Sequence, residues 1–143
     1  MIIAIIGVIS VFVAARISGG EAQTRGFYDE LLSQVQYARK LAIAQRRRIC
    51  VHMGPADSRL YYSNPAGDAC PATSAAAGPT GEAPFTVAAR SGITVTTATF
   101  QFDALGRYLT SGGAAPAGSL TVAVTGDGSF SFIVEGGTGY VHR

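Results

Sequence analysis

The chain has 143 residues, a formal net charge of +2 and a charged fraction of 14%. That length holds one domain with a modest core plus one appended element, which excludes two large domains, and the near-neutral balance demands no polyanionic partner. A hydrophobic content of 48% excludes a wholly disordered chain, and 18 glycines fit a β-rich domain with many turns.

The first fifteen residues, MIIAIIGVISVFVAA, carry no charge and are followed at once by Arg16. The run is shorter than the roughly 20 residues that span a hydrocarbon core, and it lacks the basic residues that precede the apolar part of a secretory signal. It reads as an anchoring helix cut at the front, residues 1–18. Ile2, Ile3, Ile5, Ile6, Val8, Ile9, Val11, Phe12 and Val13 supply its membrane or filament packing surface. A cleaved signal ending near Ala14 and Ala15 is the competing reading. Gly19, Gly20 and Gly26 follow, each lowering helix propensity by up to about 1 kcal/mol relative to alanine, so a kink or melted turn is expected within residues 17–26.

From Phe27 the pattern becomes amphipathic, in a helix half placed at residues 19–47. Phe27, Leu31, Val35, Ala38, Leu41 and Ala42, then Ala44 or Gln45, recur at spacings of three and four and form one stripe for packing against a sheet. Asp29, Glu30, Ser33, Gln36, Arg39 and Lys40 occupy the opposite face, acids early and bases late, as the helix dipole favours.

Beyond Arg48 the period shortens to that of strands, and residues 48–143 read as an antiparallel β domain. Strands are expected at Arg48–Met53, Arg59–Ser63, Pro84–Ala88, Gly92–Thr96, Thr99–Asp103, Arg107–Thr110, Leu120–Thr125, Ser129–Glu135 and Gly139–His142. Gly54-Pro55 and Asp127-Gly128 are the clearest hairpin turns. Residues 64–82 are dominated by Pro, Ala, Gly, Ser and Thr without apolar period, which predicts a long exposed, flexible loop. The fold class is therefore α+β, a long N-terminal helix packed on antiparallel sheet.

Chemistry-bearing residues are sparse. Cys50 and Cys70 form no C-x-x-C pair and only His52 and His142 are available beside them, so no structural zinc is expected; the cysteines are either bridged or two independent buried thiols. Arg46, Arg47 and Arg48 either end the helix as a solvated cluster or contact phosphates. No G-x-S-x-G elbow surrounds any serine, Gly136-Gly137-Thr138-Gly139 lacks the lysine and helix of a phosphate loop, and Asp103 and Asp127 sit in turns that give no reason for shifted pKa values. Catalysis is not expected, nor is a cofactor.

The order of apolar helix half, amphipathic helix half and β domain resembles the type IV pilin-like proteins. IIAIIGVISVFVAARIS looks like the helix interior that follows a prepilin cleavage motif. LLSQVQYARKLAIAQRRRICV, the most specific passage, resembles the helix-to-first-strand segment of the GspH/FimT family, and FDALGR and TGYVHR resemble its late strands. The likeness covers most of the chain apart from residues 64–82. It departs from the family in lacking the glycine-phenylalanine-glutamate cleavage motif, which is expected upstream of Met1, and in having Ala15 where such helices often bend at proline. Arg25-Gly26-Phe27-Tyr28-Asp29-Glu30 imitates that motif, but an amphipathic segment follows it instead of an apolar run.

The resemblance implies a minor pilin or pseudopilin of a type IV pilus or type II secretion filament. Its implied partners are other pilin or pseudopilin subunits and the inner membrane, crossed once, with the globular part in the periplasm. The alternatives are a FimT-like DNA-binding minor pilin, with DNA touching Arg46, Arg47, Arg48 and Arg143, and a secreted β domain led by a signal.

Overall fold

The computed structural model describes residues 19–64 and 70–143. The expected anchor over residues 1–18, with all its packing residues, lies outside them. Gly19 caps the helix start in extended backbone, and the Gln23 N–H donates to its carbonyl at 3.3 Å. Helix α1 spans Gly20–Gln45 and runs unbroken through Gly26, so the expected kink is corrected from Gly20 onward. Tertiary packing outweighs the glycine penalty: Thr24, Phe27 and Tyr28 are buried, and the Thr24 hydroxyl donates to the Gly20 carbonyl at 3.0 Å. Gly20 also serves close approach, because a Cβ there would fall on the Asp127 carboxylate of a neighbouring turn.

The helix stops where Arg46 enters the left-handed region at φ 51° and ψ 40°. The Arg46 and Arg47 N–H groups then donate to the carbonyls of Ile43 and Ala42. Its last turn holds no base; the arginine cluster begins at the cap itself. Along α1 the buried residues are Thr24, Phe27, Tyr28, Leu31, Leu32, Gln34, Val35, Ala38 and Ala42, with Leu41 half-buried against the core. Ala44 and Gln45 are exposed, which corrects the expected end of the stripe. The stripe is wider than a single row because two sheets lie under it.

Among the described residues nine strands follow: β1 (Ile49–Met53), β2 (Asp57–Tyr62), β3 (Thr86–Ala88), β4 (Thr94–Val95), β5 (Ala98–Phe102), β6 (Tyr108–Thr110), β7 (Leu120–Thr125), β8 (Ser129–Val134) and β9 (Val141–His142). One sheet has the order β3-β2-β1-β5-β6 and the other β4-β7-β8-β9. Every pairing is antiparallel. Val51 sits between Leu60 and Phe100, and all three enter the core with Ile49, Met53 and Phe102. From the second sheet Val122, Val124, Phe132 and Val134 join the same core, as period-two alternation requires.

The exposed loop expected over residues 64–82 needs correction. Ser74 to Ala76 runs antiparallel along the outer edge of β2: the Tyr62 N–H donates to the Ser74 carbonyl at 2.7 Å, and the Ala76 N–H to the Leu60 carbonyl at 3.1 Å. Ala76 is fully buried. The reason is backbone pairing, which needs no apolar period and so leaves no trace in composition.

Candidate functional site

Three surfaces gather the residues singled out by the sequence. The first is a cleft of about 640 Å³ beside the start of α1. Gly19, Ala22, Gly26 and Phe27 form its helical wall, and Ala88 and Arg90 face them. Gly26 has no side chain and no neighbouring atom where a Cβ would stand, so the helix backbone is bare there.

The second surface is the helix end. The Arg47 guanidinium lies over the Tyr62 ring at 4.2 Å, and the Arg48 carbonyl accepts from the Ser63 N–H at 3.1 Å, so the first strand leaves the helix already tied to β2. About two turns earlier Arg39, assigned to the solvent face by its spacing, reaches across the domain. Its Nε donates to the Gly106 carbonyl at 2.9 Å and its Nη2 to the Thr138 carbonyl at 3.2 Å. It thereby joins a loop of each sheet to the helix.

The loop that Arg39 grips is the FDALGR passage. Asp103 Oδ1 accepts from the N–H groups of Leu105 and Arg107, both at 2.9 Å, while Oδ2 accepts from the Arg107 guanidinium at 2.7 Å. Burial pushes this carboxyl up, but the hydrogen bonds outweigh it and hold the group below the usual carboxylate range. The expectation of an unperturbed Asp103 is therefore corrected. Gly106 takes φ 78°, and a Cβ there would strike the Ile43 side chain.

The third surface is the C-terminal tail. Arg143 pairs with Asp29 at 2.7 Å and lies 5.6 Å from the Tyr28 ring, while the Tyr28 hydroxyl donates to the Ser131 carbonyl at 3.0 Å. His142 Nε2 meets Glu135 Oε1 at 2.7 Å, and Ser119 donates to the other Glu135 oxygen at 2.8 Å. These contacts lower the Glu135 pKa, chiefly through the hydrogen bond from His142, and raise that of His142 through the same bond. Arg143 therefore docks near the start of α1. Asp29 precedes Arg46 by 17 positions, about 25 Å along a helix, so the structure does not bring Arg143 and Arg46–Arg48 into one basic patch.

On the outer face of the first sheet, Cys50 of β1 and Cys70 form a disulfide with Cα atoms 5.6 Å apart. His52, two positions along the same strand, packs edge-on against Tyr61 with ring centroids 5.0 Å apart. Burial lowers its pKa against an upward pull from the Cys70 backbone.

A family profile described as Type II transport protein GspH matches residues 28–138, well over half of the chain. The chain belongs to the GspH family. Its fold is also that of two crystal structures of the Pseudomonas aeruginosa type IV minor pilin FimU. One matches with TM-score 0.58 and 17% identity over 85% of this chain and 88% of that one. The other gives 0.55 and 18% over 82% and 90%. Comparison with curated proteins finds no match. This GspH-family chain thus has the fold of that minor pilin, one helix laid on antiparallel sheets. No helix among the described residues is long and apolar enough to cross a membrane.

Sequence reasoning missed Gln34 and Arg39 as structural residues of this GspH-family fold. Gln34 is buried, and its Nε2 donates to the carbonyls of Ser58 at 3.1 Å and Phe85 at 2.9 Å. A signal was present: Gln34 stands between Leu31 and Ala38 on the apolar stripe, where a polar side chain requires buried partners.

Proposed function

We propose that the chain is a minor subunit built into a type IV pilus or type II secretion filament, where it contacts other pilin or pseudopilin subunits. Residues 1–18 serve as a single inner-membrane pass and later as filament core, with the globular domain held in the periplasm. The observation that carries this reading is the cleft at the start of α1. Immediately after the apolar run, the helix bares Gly19, Ala22 and Gly26 beside about 640 Å³ of open space. Small residues let a second helix come close to the backbone, and that is the contact a helix-cored filament needs at this height. Ile43, 43% exposed beside Gly106, and Leu105, 70% exposed, add an apolar spot at the other end of the helix.

DNA is left out of this reading. The tail arginine is already paired with Asp29 and stands about 25 Å from the cluster at the helix end, whereas phosphate binding gains from several cations together. Deleting the gene in its host tests the role. Loss of surface pili with secretion intact assigns the pilus, and loss of secretion with pili intact assigns the secretion filament. Normal piliation and normal secretion together would refute a filament role.

A further inference from the structure

The outer face of the first sheet collects three ligand-type groups that the filament role does not use. Cys50 and His52 stand two residues apart on β1 and so project from one face, and the chain returns to place Cys70 over them. The two sulfurs and a ring nitrogen of His52 all lie within 4.8 Å of one another. His52 Nε2 is buried and has no hydrogen-bond partner among the described residues. A buried, unpartnered imidazole nitrogen costs free energy unless something takes its lone pair or its proton. The sequence reading set zinc aside because no C-x-x-C pair exists; the fold supplies the third ligand from 20 residues away.

The geometry points to a second state of this site: with the disulfide reduced, Cys50, Cys70 and His52 bind one zinc-class cation as two thiolates and an imidazole. In the first step a dithiol reductant delivers two electrons and two protons to the Cys50–Cys70 bond and leaves as its own disulfide. In the second, the cation displaces both thiol protons, giving a neutral dithiolate centre. Tetrahedral coordination with Zn–S near 2.3 Å and Zn–N near 2.0 Å sets ligand separations of about 3.5–3.8 Å. Sulfurs freed from their bond can part to that distance, and the ring nitrogen, within 4.8 Å of both, needs to close by about 1 Å at most. Thiolates and imidazole favour zinc over the hard cations magnesium and calcium. His52 also lines a hollow of about 250 Å³ with Asp57, Tyr61 and Thr99, which gives water access to the imidazole side of the site. The cation then holds the chain around Cys70 against β1 in the reduced protein, as the covalent bond does in the oxidised one.

The test uses the full chain in detergent, reduced with a trialkylphosphine and titrated with cobalt(II), then zinc(II). The expected result is one cobalt per reduced chain with intense near-ultraviolet thiolate-to-metal absorption, abolished by one equivalent of zinc, and no such absorption from the oxidised chain. His52→Gln should weaken binding by at least about tenfold, the lower end of what even outer-sphere partners contribute. Equal cobalt binding by oxidised and reduced chains, or an unchanged spectrum and affinity in His52→Gln, overturns the proposal. A wild-type measurement covers the case in which the variant misfolds. Zinc should protect both thiols from alkylation and His52, but not His142, from carbethoxylation, as read by peptide mass. His52 modified at the same rate with and without zinc overturns it equally.

Discussion

Gly26 offers the sharpest separation of fold from function. It lies inside α1, its φ is not positive, and nothing stands within 4 Å of where a Cβ would be. For the free chain Gly26→Ala therefore adds no clash and removes the glycine penalty, a gain of about 0.8–1.0 kcal/mol. In a chain of this size that raises Tm by about 3–5 °C, measured by circular dichroism at 222 nm. Gly26→Leu should keep most of this gain, because its longer side chain points into the open cleft. In the assembled filament the order reverses. A leucine fills the space proposed for a neighbouring helix, so incorporation of Gly26→Leu, scored by immunoblot of sheared filaments, should drop while Gly26→Ala stays near wild type. A lower Tm for Gly26→Ala would show that this helix face is not open in the free chain. Normal incorporation of Gly26→Leu would refute the cleft as the seat of a neighbour.

Gln34→Ala should destabilise the chain by about 1–3 kcal/mol in urea unfolding, since it removes the amide hydrogen bonds to the Ser58 and Phe85 carbonyls, the latter keeping the Leu60 N–H; a change under about 0.5 kcal/mol would count against that role. Reducing the disulfide in metal-free buffer should cost about 3 kcal/mol, the loop-closure value for a separation of 20, with the midpoint of denaturation as readout. The His142–Glu135 pair predicts a pH window for tail docking. The contribution of Glu135, whose pKa is lowered from 4.5, is present above that value and lost as pH falls through its folded value. That of His142, raised from 6.5, is present below 6.5 and lost as pH rises through its folded value. Docking is tightest between those limits, and Glu135→Gln should shift the titration of the His142 ring resonances to lower pH. Finally, the full chain should give no discrete gel-shift complex with duplex DNA at physiological ionic strength; a tight, salt-sensitive complex lost in Arg143→Ala would reverse that expectation.

The elements that could be read from residues alone are those held by side-chain period. Leu120–Thr125 alternates cleanly and its strand has those bounds, and the Phe27, Leu31, Val35 and Ala38 spacing placed the buried face of α1. Strand ends elsewhere moved by one or two residues, as with Gly92–Thr96, which shrinks to Thr94–Val95, the two positions in ladder register with β7, while the Thr96 N–H still donates to the Ala123 carbonyl at 3.0 Å. What stayed hidden was held by backbone groups or by partners far along the chain. Ser74–Ala76 joins β2 through its peptide groups, Arg39 binds two carbonyls 67 and 99 positions away, and Gly20 has room for no side chain because a turn 107 residues later stands against it. Of the candidate site, the residue types were visible, but not their grouping. Arg143 and Arg46–Arg48 look alike as charges, and only the fold sends them to opposite ends of one helix.

The lengths of the outermost strands carry a consequence for a protein stored among its own kind. The first sheet ends in β3 and β6, three residues each, and the second in β4 and β9, two residues each. The strands of five or six residues are all interior. Each of β2, β5, β7 and β8 lies beside a shorter edge strand, and along β2 Ser74–Ala76 occupies the stretch that β3 leaves open. Among the described residues the outermost strands of each sheet thus run for no more than three residues. Edge strands that short disfavour the zipping of copies edge to edge, a route that leads to aggregates without defined order. That favours association through side chains and helix faces, which recognise partners by shape.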